Sequence, residues 1–591
     1  MKKHRATIIL SFFLILALAA AAFFAWKYFA SRQTQTAKEL PLDLAGLYAE
    51  YNDENLATVF EGQALQLAAP AKKIGETFYL PLDLVLSHLT DALYYDAAEK
   101  VLTYTDSRDV IRLKPGEKTY YYNNEPVELQ IGLEEINGVP YLPTELVAKF
   151  ANFRLSYNGR YHILTLDNPQ KTQRIGVADL TAAESEAEKE KKQAGDVKAY
   201  VYNAIPQEGE TVYYYYPVLS GMIFVLLEES GDYYKVRTHE GFIGYVRKDV
   251  IGEVEEIIES NSLKESAPAL SAALPGKVNM VWHQVFNMTA NGSIQEKMAA
   301  AKGVNVISPT WFHITDTEGA VSSLADIAYV RWAHQNGYKV WPLFSNSFDK
   351  PITHAVLSST AKREKVIRQI LSFVDLYGLD GINIDFEEVP KEDGPAYVQF
   401  VKELSLFLKQ KGVTVSVDMY VPKPWTEHYG RAEIGKYIDY LIIMGYDEHW
   451  STSPKSGSVA SINFVREGVT DTLALVPANK VILGIPFYTR LWQETGSGDS
   501  LKVSSKAYGM GYGKQLLIDK GAKIEWNEEV AQYYGEYKEG DATFKMWIED
   551  QRSLTEKLNI ASGYRLAGIS GWKLGLESEE AWEAISQYLK Q

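Results

Sequence analysis

From residue 276 onward, short apolar runs alternate with amphipathic stretches. The apolar runs fall at 278–282, 304–308, 339–344, 381–386, 413–419, 440–444, 480–485 and 568–572, and the segments between them carry apolar residues at helical spacing. Eight strand-length runs alternating with helical patterns predict an α/β fold, a (β/α)8 TIM barrel over residues 276–591. In such a barrel the polar groups that do chemistry gather at the C-terminal ends of the strands.

The pattern changes upstream. Tyr79-Leu80-Pro81-Leu82-Asp83-Leu84-Val85 recurs 62 residues later as Tyr141-Leu142-Pro143-Thr144-Glu145-Leu146-Val147, and Tyr95 with Val101-Leu102-Thr103 recurs as Tyr157 with Ile163-Leu164-Thr165. Each copy reads strand, Pro turn, short helix and hairpin, which predicts a duplicated α+β stalk domain over residues 60–168. It resembles the domain named after the N-terminal region of copper amine oxidases, a likeness of pattern that implies no copper. Within residues 196–256, Ile223-Phe224-Val225-Leu226-Leu227 and Tyr233-Tyr234-Lys235-Val236-Arg237 flank the turn Glu229-Ser230-Gly231-Asp232. Short strands at this spacing predict a small β-barrel. The segment resembles a bacterial SH3 domain, with Tyr213-Tyr214-Tyr215-Tyr216-Pro217 where that domain usually carries Arg-Ser-Gly-Pro. Charged or weakly apolar segments at 27–59, 169–195 and 257–275 read as linkers.

Residues 2–5 are Lys-Lys-His-Arg, and 21 uncharged residues follow from Ala6 to Trp26. That length crosses a bilayer as a helix. The reading is a cytoplasmic tail at 1–5, a single-pass transmembrane anchor at 6–26 and a catalytic domain outside the cell membrane. Cleavage near Ala19 to Ala22, giving a secreted protein, is the alternative.

Composition narrows the chemistry. A net charge of −16 argues against a nucleic-acid partner. With no Cys in 591 residues, disulfides, thiolate metal sites and thiol nucleophiles are excluded. No His and carboxylate spacing suggests a metal, no cofactor is expected, and His283, His313 and His449 read as polar residues satisfied within the fold. The protein reads as a monomer.

The fourth run supplies the chemistry: Asp380-Gly381-Ile382-Asn383-Ile384-Asp385-Phe386-Glu387-Glu388. Alternation along a strand places Asn383, Asp385 and Glu387 on one face and the apolar residues on the other. Carboxylates confined together raise one another's pKa, so that one can serve as an acid near neutrality. A solvated acidic strand end and a metal site are the alternatives, although the segment contains no His.

These residues resemble the glycoside hydrolase family 18 signature Asp-x-x-Asp-x-Asp-x-Glu, matched at Asp380, Asp385 and Glu387, with Asn383 in place of the middle acid. Met444-Gly445-Tyr446-Asp447, Gly484-Ile485-Pro486-Phe487-Tyr488-Thr489-Arg490 and Gly571-Trp572 extend the likeness. Residues 491–560 resemble the family's small α+β insertion subdomain. The resemblance implies a retaining, substrate-assisted glycosidase in which the sugar's own acetamide is the nucleophile. Glu387 would be general acid and base, Asp385 would orient the acetamide N–H, and Tyr446 would hold the acetamide oxygen. Asp380 and Asn383 would support them, and Trp572 would form the floor of the sugar site. Met444, Asp447, Tyr488, Arg490, Trp282, Trp311, Asn346 and Tyr420 are candidate substrate contacts, together with Asp418. Asn383 can hydrogen-bond but cannot take a proton from Asp385, which implies an altered pH profile.

The Asn-Ile-Asp-Phe-Glu arrangement resembles the branch found in spore-forming bacteria, which implies β-1,4-linked N-acetylglucosamine in peptidoglycan, of cell wall or spore cortex, as substrate. Chitin oligomers are the runner-up. A non-catalytic wall-binding or scaffold protein is the alternative from another class, and the presence of Glu387 argues against it.

Overall fold

The computed structural model describes residues 37–181, 199–257 and 270–591. The expected anchor at 6–26 lies outside these residues, as do 182–198 and 258–269. Among the described residues no helix is long and apolar enough to cross a membrane. The chain forms two compact units, Met1–Asp91 with Gln130–Glu265, and Ala92–Leu129 with Ser266–Gln591.

In the first unit the duplication is visible as matched elements. Strand Thr77–Pro81 runs into helix Leu82–His88, and Val139–Pro143 into Thr144–Phe150. The two strands pair antiparallel, Leu80 opposite Leu142, at the centre of a four-stranded sheet. Each Pro ends its strand and opens a helix, because it lacks an N–H for the ladder but suits a helix N-terminus. A separate eight-stranded sheet includes Tyr200–Tyr202, Thr211–Pro217, Ile223–Ser230, Tyr233–Arg237, Ile243–Arg247 and Ile251–Ile257. Its core holds Val201, Phe224, Val236, Val246 and Val250.

Two boundaries differ from expectation. Gln173–Ala178, placed in the 169–195 linker, is a strand between Ile223–Ser230 and Ile251–Ile257. Lys38–Pro41, placed in the 27–59 linker, pairs parallel with Thr211–Pro217. Isolated strands this short carry little periodic signal, and their partners are distant in sequence.

In the second unit eight strands close a parallel barrel: β1 (Val278–His283), β2 (Val306–Ile314), β3 (Leu343–Ser345), β4 (Gly381–Asp385), β5 (Thr414–Tyr420), β6 (Tyr440–Met444), β7 (Val481–Pro486) and β8 (Gly568–Trp572). Pairing of β1 with both β2 and β8 completes the circle. The expected third strand, 339–344, is broken at Trp341-Pro342. Lys339–Val340 and Leu343–Ser345 pair separately with β2, as expected where Pro cannot donate. After β7, strands Tyr488–Thr495, Lys502–Gly509, Lys523–Asn527, Gln532–Glu539 and Ala542–Ile548 form an antiparallel sheet backed by helix Met510–Asp519. The insertion therefore spans strands from Tyr488 to Ile548 rather than 491–560. Helix Gln551–Gly563 belongs to the barrel, burying Leu554, Leu558, Ile560 and Ala561 in its core.

The hairpin of the first repeat, Leu93–Asp96 and Val101–Thr105, is carried by the second unit, although its sequence equivalent at 154–167 stays in the first. It continues through Val110–Leu113, Thr119–Tyr122 and Glu125–Glu128 into a five-stranded sheet over the barrel helices α1 (Thr360–Tyr377) and α2 (Gly394–Gln410). Compactness therefore does not follow the expected 60–168 boundary, because the segment between the repeats carries Val110 into the barrel's core cluster. Helix α2 is buried on nearly every face and must satisfy its polar residues internally. Arg112 donates to Glu403, Gln399 bonds both Glu403 (2.8 Å) and Thr105 (2.9 Å), and Lys402 pairs with Glu433 at 3.0 Å.

Candidate active site

Strands β4 and β5 lie side by side, which sets the inward-facing Asn383 opposite Ser416. Asn383 is fully buried. Its Oδ1 accepts from the Trp282 indole N–H (2.8 Å) and the Ser308 hydroxyl (3.3 Å), and its Nδ2 donates to Ser416 Oγ (3.1 Å) and Asp418 Oδ1 (2.8 Å). Trp282 can only donate, so the amide is oriented with its NH2 toward Asp418. Asp385, at the end of β4, is 7% exposed, and its Oδ1 has no hydrogen-bond partner. Burial raises its pKa well above the usual carboxylate range, and the charges of Glu387 and Asp418 raise it further. Asp418 is raised by burial and by Glu387, against the bond from Asn383.

Glu387 lies just past β4, half-buried. Burial, Asp447 and Glu388 raise its pKa, while a hydrogen bond with the Tyr420 hydroxyl opposes them. Its backbone is clamped by Asn346, whose Oδ1 accepts the Glu387 N–H (3.2 Å) and whose Nδ2 donates to the Glu387 carbonyl (2.7 Å) and to Thr353 Oγ1 (2.8 Å). Four residues at the strand ends, Ser347, Phe348, Glu388 and Asp447, hold left-handed φ of 59°, 56°, 54° and 56°. Such backbone, costly for non-glycine residues, persists where surrounding structure enforces it, often at functional sites.

These groups open into a cleft of about 740 Å³ lined by Asp385, Glu387, Asp418, Tyr420, Met444, Tyr446, Asp447, Trp282 and Trp572. Trp282 meets Trp572 edge-on at 5.7 Å and Tyr446 at 6.4 Å, forming an aromatic corner around the acids. Burial, then Asp418 and Asp385, keep the Tyr446 phenol protonated. Gly484 leaves room for this ring, since a Cβ there would stand 3.1 Å from Tyr446 Cε1 and 2.8 Å from the Ile443 carbonyl oxygen. Tyr488 donates a short bond to Asp447; burial raises Asp447, while Tyr488 and Arg490 pull it down. Tyr488 and Arg490 themselves line an adjoining recess that shares Asp447 and Trp572 with the cleft.

Three expectations change. Asp380 stands at the opposite end of β4, where it accepts from Lys339 Nζ (2.8 Å) and the Val340 N–H (3.0 Å) and pairs with His334 (2.7 Å), tying the strand to its neighbours. Trp311 is a core residue, fully buried, with its indole N–H on Asn291 Oδ1 at 2.8 Å. Asn346, also fully buried, spends its amide on Glu387's backbone and positions the acid rather than touching sugar. Trp311 and Asn346 fitted mouth positions by residue type, but strand alternation and loop path decided otherwise.

The three histidines near strand ends are bonded within the protein: His283 to Tyr329 and Ser293, His313 to Ser345, and His449 to the Ser458 carbonyl. Burial drives the His283 pKa down to about 4. Among the described residues no group of His, Asp or Glu is placed to hold a metal. Sequence reasoning missed Phe348, Trp425 and Trp450, which line the cleft while 47%, 63% and 50% exposed. They lie in the loops after β3, β5 and β6, and the available signal was a large aromatic residue in a loop at the barrel's catalytic end.

Residues 59–166 match the copper amine oxidase N-terminal domain model. Among curated proteins, the chain is 29% identical over 300 residues to the uncharacterized glycosylase YvbX of Bacillus subtilis, covering 46% of this chain and 82% of that one. It is 26% identical over 255 residues to the cortical fragment-lytic enzyme of the same species, covering 41% and 58%, and 31% identical over 257 residues to chitinase 1 of Aphanocladium album, covering 39% and 60%. The match thus spans less than two thirds of the last two proteins. Residues 259–577, more than half of the chain, match the family model for glycosyl hydrolases family 18, and with the acid cluster at its barrel mouth the protein is a glycoside hydrolase belonging to that family.

Proposed function

We propose that the protein hydrolyses β-1,4 bonds on the reducing side of N-acetylglucosamine in peptidoglycan, with retention of configuration and with the substrate's acetamide as nucleophile. The observation that carries this reading is the unpartnered Asp385 Oδ1, buried among acids beside a half-buried, protonatable Glu387. A buried carboxylate oxygen without a donor is costly, and a substrate N–H would supply one. Glu387 delivers its proton to the leaving oxygen while the acetamide oxygen attacks the anomeric carbon. As the oxazolinium forms, Asp385 holds its N–H and the Tyr446 hydroxyl steadies its oxygen. The resulting Glu387 carboxylate then takes a proton from the water that opens the ring, restoring the acid.

The substrate assignment draws on the Asn-Ile-Asp-Phe-Glu segment and on the likeness to a cortical fragment-lytic enzyme. Chitin is the second reading, favoured by the insertion sheet, whose Tyr488, Arg490 and Tyr508 line the recess beside the cleft, and by the likeness to a chitinase. Residues 6–26 would anchor the chain with its catalytic unit outside the membrane, and residues 199–257 would serve as an SH3-like spacer. Mass spectrometry of digests of purified peptidoglycan and chitin, with Glu387→Gln as control, tests the reading. Products ending in reducing N-acetylglucosamine, absent with the variant, are expected; no products from either polymer would refute it.

A further inference from the structure

The recess beside the catalytic cleft has a charge character of its own. It encloses about 690 Å³ and is lined by Arg490, Lys506 and Lys573 together with Gln284, Tyr508 and Tyr512. The cleft proper holds carboxylates, whereas Asp447 is the only acid lining the recess among the described residues. Lys573 donates to Gln284 rather than to an acid, and Lys506 rests 5.2 Å over the Tyr508 ring. Tyr512 stacks on Tyr508 at 5.1 Å while 63% exposed, so the recess pairs cationic groups with an open aromatic face. Burial and then the nearby Lys297 lower the Lys573 pKa.

The position of the recess fixes which sugar would enter it. It shares Trp572 and Asp447 with the cleft but excludes Glu387, which lies on the side of the loops after β3 to β5. Glu387 protonates the leaving oxygen, so the leaving sugar occupies Glu387's side. The recess receives the unit on the non-reducing side of the sugar being cleaved. In peptidoglycan cut after N-acetylglucosamine that unit is muramic acid, whose 3-O-lactyl group ends in a carboxylate or continues into a peptide bearing carboxylates. In chitin the same position carries a neutral hydroxyl.

We infer that Lys506, Lys573 and Arg490 form a subsite for a carboxylate on the sugar preceding the cleaved N-acetylglucosamine, selecting anionic peptidoglycan strands over neutral glycans. This rests on the glycosidase reading above. Its test uses the full-length protein and matched tetrasaccharides alternating N-acetylglucosamine with muramic acid, the lactyl group being free acid, primary amide or peptide-extended, with chitin oligomers of equal length alongside. The free acid or the peptide form is expected to exceed the amide in kcat/KM by about threefold to tenfold at low salt, narrowing as salt rises. A preference for the acid assigns the site to the lactyl carboxylate, and one confined to the peptide form assigns it to the stem. Lys506→Gln with Lys573→Gln should bring the ratio toward one, while Lys573→Arg keeps it. Equal kcat/KM for acid, amide and peptide forms in the unaltered protein would overturn the subsite, as would cleavage of chitin oligomers alone. Failure to cleave any of these substrates would instead overturn the glycosidase reading on which the subsite stands.

Discussion

Asp385 and Glu403 are both buried carboxylates on neighbouring elements of one barrel, yet only Glu403 has cations beside it. Burial raises Glu403 too, but Arg112 and Arg363, with a bond from Gln399, bring it below the ordinary range. Around Asp385 the acting charges are Glu387 and Asp418, so every influence raises it. Similar burial thus gives an acid held below the ordinary carboxylate range in one place and one held above it in the other. The difference lies in the partner: Arg112 comes from the sheet built on residues 92–129, whereas the cleft leaves Asp385 Oδ1 open for substrate.

Removing the proton donor should produce the largest effect. Glu387→Gln is expected to lower kcat by about 10²–10⁴ with little change in thermal unfolding, measured by reducing-end release and calorimetry. Glu403→Gln should do the reverse, costing up to about 3–5 kcal/mol of stability in urea unfolding because buried Arg112 would keep only its pairing with Glu364, with activity per folded molecule retained. If the two variants behaved alike, the distinction between the sites would fail.

Acidity sharpens the same contrast. Asp385 and Asp418 have raised folded pKa values, so their penalty is absent below the ordinary carboxylate range and grows as pH rises through the raised values. Asp418→Asn should therefore raise the unfolding temperature more at pH 8 than at pH 4. Glu403 has a depressed value, so its contribution is present above the ordinary range and is lost as pH falls through the folded pKa. The smallest effect is expected from Asp447→Asn. Asp447 raises Glu387, so its neutralisation should move the alkaline limb of the kcat/KM profile to lower pH. An upward displacement of that limb would contradict the assignment of Glu387 as acid.

The sequence revealed the barrel because its strands are apolar runs of strand length, and β6 and β8 begin and end where the pattern placed them. It revealed Asp385 and Glu387 because alternation along β4 assigns a face without knowledge of the rest of the chain. Trp311 was misplaced because residue type does not say which side of a wall a side chain occupies. Asn346 was found as a polar residue at a strand end, but its role depends on a backbone 41 residues away. Arg112 was illegible for the same reason. It is one charged residue in a short strand, and its partner Glu403 lies 291 positions further on.

The most direct test of the catalytic assignment is the anomeric configuration of the first product, followed by NMR at early times during hydrolysis of an N-acetylglucosamine-containing oligosaccharide. The acetamide route inverts the anomeric carbon twice, so the β-anomer should appear first and mutarotate afterwards. Initial formation of the α-anomer would mean direct attack by water and would contradict the roles given to Asp385, Tyr446 and Glu387.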